Sequence, residues 1–417
     1  GMYMKHFLKL ATISALCFSL VACSQTPSQG SEPLEGKTMD NIEGKTPDQV
    51  FSNVQWDLTL KLLKDTREKG TNTLVSPLSV ILAMSMATNG ADGRTLEEIM
   101  TSLFPNVTMD DWNKYVYSYL QSLPDDDGFK LHIADSIWMK SDENFQVNQE
   151  FLDICKNYYQ AEVMTAPFDK TTVNDINNWV NEKTDGMIPT LLKDINADTI
   201  LFIINALCFD AEWEISFEKN STHDFNFFAE NDITNVVEMM RDTVYSYIET
   251  EHATGFVKSY KNGYKFIALL PEEGMDLDTF LASFTMKDVR QLSLVQNIKT
   301  KIGLPKFKYD ADYQLVDFFK QYGIQDAFDD DNADFSKLGT YTDRNIKISS
   351  IIHKTHIEVD EEGTKAAAAT MISFEKTTAV REENFREVIL NRPFVYFIID
   401  GNTNTPVFAG TVANIQK

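Results

Sequence analysis

The stretch Asp360-Glu-Glu-Gly-Thr-Lys-Ala-Ala-Ala-Ala-Thr-Met-Ile-Ser-Phe374 decides how the rest of the chain is read. Alanine is the strongest helix former, so local propensity points to a helix. Gly363 is a poor opening for a helix interior, and the tail Thr370 to Phe374 suits a strand. Counting by two from Thr364 gives Thr364, Ala366, Ala368, Thr370, Ile372 and Phe374, all uncharged. Lys365 and Glu375 fall on the other face. That is the period of a strand with one face turned inward. A segment exposed at one time and buried as a strand at another would carry this pattern. An Ala-rich surface helix or linker would carry it too.

A family resemblance bears on that choice. Glu361-Glu-Gly-Thr-Lys-Ala-Ala-Ala-Ala-Thr370 resembles the hinge of the reactive-centre loop of the serpins. Other stretches resemble the family in the same order: Ser76-Pro-Leu-Ser79 with Gly90-Ala-Asp-Gly-Arg-Thr95, and Ile176-Asn-Asn-Trp-Val180 with Thr184-Asp-Gly186. Asn205-Ala-Leu207 with Trp213, Leu304-Pro-Lys-Phe307, Ala333-Asp-Phe-Ser336, His353-Lys354 and Arg392-Pro-Phe394 follow. The resemblance spans residues 50–412.

It implies an α+β serpin fold, with a large central mixed sheet surrounded by helices and an exposed reactive-centre loop. It implies a buried network of Ser76, Ser79, Asn205 and His353 that holds the sheet closed. At the upper end of the sheet, Trp213 would pack under the entry point of the hinge, and Glu361 would pair with Lys306. The hinge itself would be Glu361, Gly363, Thr364, Ala366, Ala368 and Thr370. The implied activity is inhibition of serine proteases, with cysteine proteases as an alternative target, by cleavage of the loop and its insertion into the sheet. The chain would not be an enzyme. The usual hinge length from Gly363 gives a reactive bond at Thr377–Thr378. Lys376–Thr377, one residue away, suits a trypsin-like protease, and Thr377 an elastase-like or subtilisin-like one. The stretch from Gly363 to Pro393 is longer than usual in the family, and counting back from Pro393 gives Arg381–Glu382 instead. A serpin-fold binding protein at the cell surface is the alternative function.

Composition is compatible with this. The chain has 417 residues, 43% hydrophobic and 24% charged, which is ordinary for a globular protein. Its net charge of −24 would repel the phosphates of nucleic acid. Lys5 and Lys9 precede an apolar run that ends at Ala22, a pattern of export signals, and the run is short for a membrane span. Leu20-Val-Ala-Cys23 resembles a bacterial lipobox, which implies lipid on Cys23. The expected division is a signal peptide at 1–22, a lipidated N-terminus and flexible tether at 23–46, and one domain at 47–417. The tether is polar with scattered Pro and Gly, and would span roughly 25–30 Å. The protein would be exported and lipid-anchored to a bacterial membrane, on the periplasmic or the outer side, and monomeric. Cys155 and Cys208 have apolar neighbours and read as buried free thiols.

Local signals place the first helices. Thr46-Pro47 reads as an N-cap with Pro at the first helical position, before an apolar stripe of Val50, Val54, Leu58 and Leu62. Ser76-Pro77 opens a second helix that is apolar nearly all round. Thr95 with Glu98 fits a capping box for a third. The run Thr199 to Phe209 reads as a strand covered on both faces. No nucleotide-binding loop, zinc-protease or nucleophile-elbow motif is present. Ser373-Phe-Glu-Lys376 fits SxxK without its companion motifs. Neither Asp125-Asp-Asp127 nor Asp329-Asp-Asp331 has calcium-loop spacing. No cofactor or metal is expected.

Overall fold

Residues 30–364 and 384–416 are described in a computed structural model of the chain. Its largest sheet holds β1 (Glu32–Leu34), β2 (Phe129–Lys140), β3 (Glu162–Ala166), β4 (Leu201–Glu212), β5 (Phe307–Gln314), β6 (Ser350–Val359) and β7 (Gly363–Thr364). Their spatial order is β1-β3-β2-β4-β7-β6-β5, with the two-residue strand Asp125–Asp126 pairing β2 as an eighth.

Alternation along β4 builds the layers. Leu201, Ile203, Phe209 and Ala211 face the main core, while Phe202 and Ile204 face outward. The outward side chains meet Val173, Ile176 and Val180 of the helix α6 considered below, so both faces of β4 are covered, as its near-continuous apolar sequence predicts.

The helices that position the sheet are α1 (Gln49–Thr66), α2 (Pro77–Gly90), α3 (Gly93–Leu103), α4 (Met109–Gln121), α5 (Gln149–Tyr159) and α6 (Lys170–Lys183). α2 is buried along nearly its whole length, between β4 and the strand Thr405–Val412 of a six-stranded sheet. Its N-cap is Ser76, whose hydroxyl accepts from Ser79 N, with Pro77 following. Residues 392–412 form a hairpin, Phe394–Asp400 against Thr405–Val412. A four-stranded sheet runs Arg386–Ile389, Thr300–Pro305, Thr234–Val244, Thr222–Phe228. Cys155 and Cys208 are buried thiols.

Three expectations are corrected. The cap of α1 is Asp48, which accepts from Val50 N and Phe51 N, and not Thr46: a carboxylate satisfies two orphan N–H groups of the first turn. The cap of α3 is Asp92, and Thr95 and Glu98 lie within the helix. There Thr95 Oγ1 accepts from Asp334 N, and the Glu98 carboxylate from Gln325 N and Asp326 N, so they tie α3 to a distant loop.

The third correction concerns the tether. Residues 30–46 lie along the domain. β1 pairs antiparallel with β3 at the sheet edge, and Ser31 donates to Asp175 of α6. Lys37 N and Met39 N donate to Asp153 and Asn157 of α5, and Asn157 donates back to Lys37 O. A Cβ on Gly36 would stand 2.4 Å from Leu152 O. Main-chain groups make most of these contacts, and an edge strand has free N–H and C=O groups to offer. Side-chain composition therefore carried no sign of them. Residues 1–29, with the signal segment and Cys23, lie outside the described residues.

Candidate functional site: a hinge strand and a buried clasp

β6 ends at Val359, and the chain turns sharply. The Asp360 carboxylate accepts from Glu362 N and Gly363 N, and Asp360 N donates to Gly363 O. Asp commonly closes a turn this way. The turn feeds Gly363 and Thr364 between β4 and β6 as β7. Val359 pairs with Thr364 on one side, and Glu212 and Ala211 pair with Gly363 and Thr364 on the other. Both pairings are antiparallel. A Cβ on Gly363 would stand 2.1 Å from Ala211 O, so only glycine passes here.

Ring stacking and ion pairs grip this entry point. Trp213 is buried and stacks on Tyr260 at 4.4 Å between ring centres. Trp213 Nε1 donates to Asp360 O, and its main-chain N donates to Glu362 O. Thr364 is buried, with its hydroxyl 2.7 Å from the Tyr260 hydroxyl. The Glu361 carboxylate lies 3.2 Å from Lys306 Nζ and accepts from Thr222 Oγ1 at 3.0 Å. Burial opposes its charge, but hydrogen bonds from the main chain, Lys306 and Thr222 outweigh this and hold the carboxyl below its ordinary range. Lys306 is raised, because Glu361 outweighs the desolvation that lowers it.

Sequence reasoning missed Tyr260 and Lys258. Lys258 is 4% exposed, 3.0 Å from Asp242, and faces the Phe217 and Trp213 rings. Burial lowers its pKa against the pull of Asp242. Lys258 lies on the strand Ala253–Ser259 of the six-stranded sheet and Tyr260 directly after it, far from the hinge in the chain, and nothing local in the sequence marks them.

At mid-sheet the four residues of the expected network come together. Ser76 N donates to His353 Nε2 at 2.9 Å, and Ser76 Oγ donates to Val407 O. Ser79 Oγ donates to Asn205 Oδ1. Burial drives the His353 pKa down to about 4, so the ring is neutral and its Nε2 is free to accept. The chain links β4 through α2 to β6. A fifth member is Asp135 of β2, which accepts from Asn205 Nδ2. It sits among apolar residues in the sequence, with no signal to mark it.

Ala366, Ala368 and Thr370, and every proposed reactive-bond residue (Lys376, Thr377, Thr378, Arg381, Glu382), lie outside the described residues. The chain is described again from Asn384, and Arg386–Ile389 pairs in parallel with residues 300–303. In the acidic run at 329–331, Asp329 accepts from Asp331 N and Asn332 N, as a turn-forming aspartate does.

Comparison with known proteins gives a consistent picture. The family model described as serpin (serine protease inhibitor) matches residues 53–415. An uncharacterized serpin-like protein of Thermococcus kodakarensis is 30% identical over 85% of this chain and 84% of its own length. The native-state structure of the thermophilic serpin tengpin superposes with a TM-score of 0.87 at 39% identity, covering 93% of this chain and 100% of that one. Human thyroxine-binding globulin, in a complex with its hormone, superposes with a TM-score of 0.78 at 25% identity, over 88% and 98%.

Proposed function

This chain belongs to the serpin family, whose members are generally protease inhibitors and not enzymes, and we propose that it traps serine proteases by inserting its own cleaved loop into the large sheet. The observation that carries the proposal is the register of β7. Below it, β4 and β6 pair directly and in parallel, at Phe202↔Ser350 and Ile203↔Ile351. Continued residue by residue, the pairing of β7 with β6 would bring Ile372 opposite Ile351. The independent pairing of β7 with β4 would bring the same Ile372 opposite Ile203. One strand can therefore satisfy both neighbours without a slip.

The same register would set Thr370 between Asn205 and His353. Thr364 faces the core, so Ala366, Ala368, Thr370 and Ile372 would follow it inward, and Lys365 would face outward. No charge would be buried on the core side.

In the proposed reaction the protease's serine oxygen attacks a loop carbonyl near Thr377. The peptide C–N bond breaks, and the new amine leaves with the C-terminal segment. The acyl ester keeps the protease attached while the freed hinge continues β7 between β4 and β6. Strand hydrogen bonds contribute about 0.5–1.5 kcal/mol each, so insertion gains on the order of ten kcal/mol. That is comparable to the stability of a domain and can strain the protease before water cleaves the ester. Trypsin-like, elastase-like and subtilisin-like enzymes are the candidate targets. Export and lipidation at Cys23 would place the inhibitor, as a monomer, on a bacterial membrane.

The test mixes the protein, from Ser24 onward, with trypsin, a pancreatic elastase and subtilisin. The expected result is a band that survives denaturation, with a released peptide starting at Thr377, Thr378 or Glu382. Clean cleavage without a trapped complex, across that panel and a cysteine protease, would sink the proposal. The likeness to thyroxine-binding globulin supports the alternative, a binding protein of this fold.

A further inference from the structure

Asp135 is a carboxyl group set in a dry layer. It is 1% exposed on β2, directly opposite Asn205 of β4. One carboxylate oxygen accepts from the Asn205 amide; the other has no hydrogen-bond partner among the described residues. Its side of the sheet faces α2 and α5, because its strand neighbours Ile137 and Met139 lie in the main core. Trp138 faces the opposite side with α6.

The groups around it are neutral. α2 presents Ser79, and β4 presents Asn205. α5 presents Cys155 and Tyr159, whose pKa values burial and the nearby carboxyl push up. His353 of β6, at the far end of the clasp, is held uncharged by burial. No ion pair to Asp135 is present among the described residues. A carboxylate here would be an uncompensated buried charge, which is costly. Burial accordingly raises its pKa to about 7, against the Asn205 bond that lowers it.

We propose that Asp135 is a positioning residue of the clasp: uncharged, it fixes Asn205 for Ser79, and its ionisation frees β2 and β4 to part from α2. The proton passes to solvent, and parting lets water reach the carboxylate. Its consequence for loop insertion rests on the inhibitory reading; the clasp behaviour does not.

The folded pKa is raised, so this carboxyl's contribution to closure is fully present below its ordinary pKa. It is lost as pH rises through about 7. His353 works in the opposite sense: its folded pKa is lowered, so acid below about 6.5 favours opening. The two effects oppose each other in mild acid, and Asp135 acts alone from neutrality upward. With the carboxyl titrating near 7 closed and near 4 open, its own contribution to opening should increase about fourfold between pH 6.5 and pH 8, and the fading of the His353 effect over that range leaves a net rise of about twofold.

The experiment is hydrogen exchange of the full domain, read by mass spectrometry on peptides from residues 129–140 and 201–212. Intrinsic chemical exchange is divided out at each pH. The wild type should show the rise, and Asp135→Asn should instead fall about twofold over the same range, leaving only the His353 response. A flat wild-type profile from pH 6.5 to 8 overturns the assignment without recourse to any variant. Equal slopes in wild type and Asp135→Asn overturn it too. If no protease is trapped at any pH while the exchange contrast persists, the inhibitory reading fails and the role of Asp135 stands.

Discussion

The upper end and the middle of the junction between β4 and β6 are held by different chemistry. At the upper end the grip is ionic and partly wet. Lys306 meets Glu361 and Glu238, and Lys219 meets Glu362 at 3.1 Å with the lysine side chain largely exposed. In the middle, the clasp from Asp135 through Asn205, Ser79 and Ser76 to His353 is buried and contains no ion pair among the described residues. Water replaces a surface ion pair at little cost, so such a pair can hold a chain that must later move. A buried neutral hydrogen bond has no such substitute, and breaking it leaves groups unsatisfied. On the inhibitory reading proposed above, the upper end would be the place of release, and the clasp would keep the sheet shut until a strand replaced its contacts.

Changes that attack each region should separate in size. The largest effect is expected from Thr364→Arg. It would set a guanidinium against the buried Tyr260 hydroxyl, where Thr364 now sits. A buried unpaired charge is far costlier than any single hydrogen bond gained, so insertion should stall at its first step. On denaturing gels the trapped complex should disappear while cleavage of the loop continues. A variant that still traps protease would show that β7 is not where insertion begins.

The clasp should respond to acid. The folded pKa of His353 lies near 4, below the ordinary 6.5, so the neutral ring contributes stability above pH 6.5 that is lost as pH falls through 4. The shift corresponds to about 3 kcal/mol at full extent. Urea unfolding of His353→Gln and wild type, from pH 7 down to pH 4, should converge as acid removes the advantage of the imidazole. Parallel curves would remove His353 from the acid response.

The smallest effect should come from the ionic grip. Lys306→Met should lower stability by less than about 1 kcal/mol, with the difference shrinking at high salt. It should nevertheless free the hinge, seen as faster cleavage of the loop by a non-target protease. A stability loss as large as that of the clasp variants would erase the contrast between the two regions.

How much of this was legible depends on where the partners sit. Ser76 and Ser79 were readable because they start a helix in a recognisable Ser-Pro-x-Ser pattern. Asn205 was readable because an amide interrupts an apolar strand and must find partners. Asp135 interrupts an apolar strand in the same way, yet its role appears only when β2 and β4 pair in register. Tyr260 and Lys258 are unremarkable until their sheet packs beneath Trp213. The segment before Pro47 was read as free chain because its side chains are polar, whereas its main chain supplies most of the contacts.

By itself the sequence determined the apolar strand at 201–209 and the cap of the helix beneath it, because these depend on neighbours a few residues apart. Only the tertiary structure decided which strands border Gly363 and Thr364, and that β4 and β6 pair directly below them at Ile203 and Ile351. It also decided that one oxygen of a buried carboxyl group has no hydrogen-bond partner among the described residues. Those facts depend on groups brought together from opposite ends of the chain, and no local pattern encodes such distances.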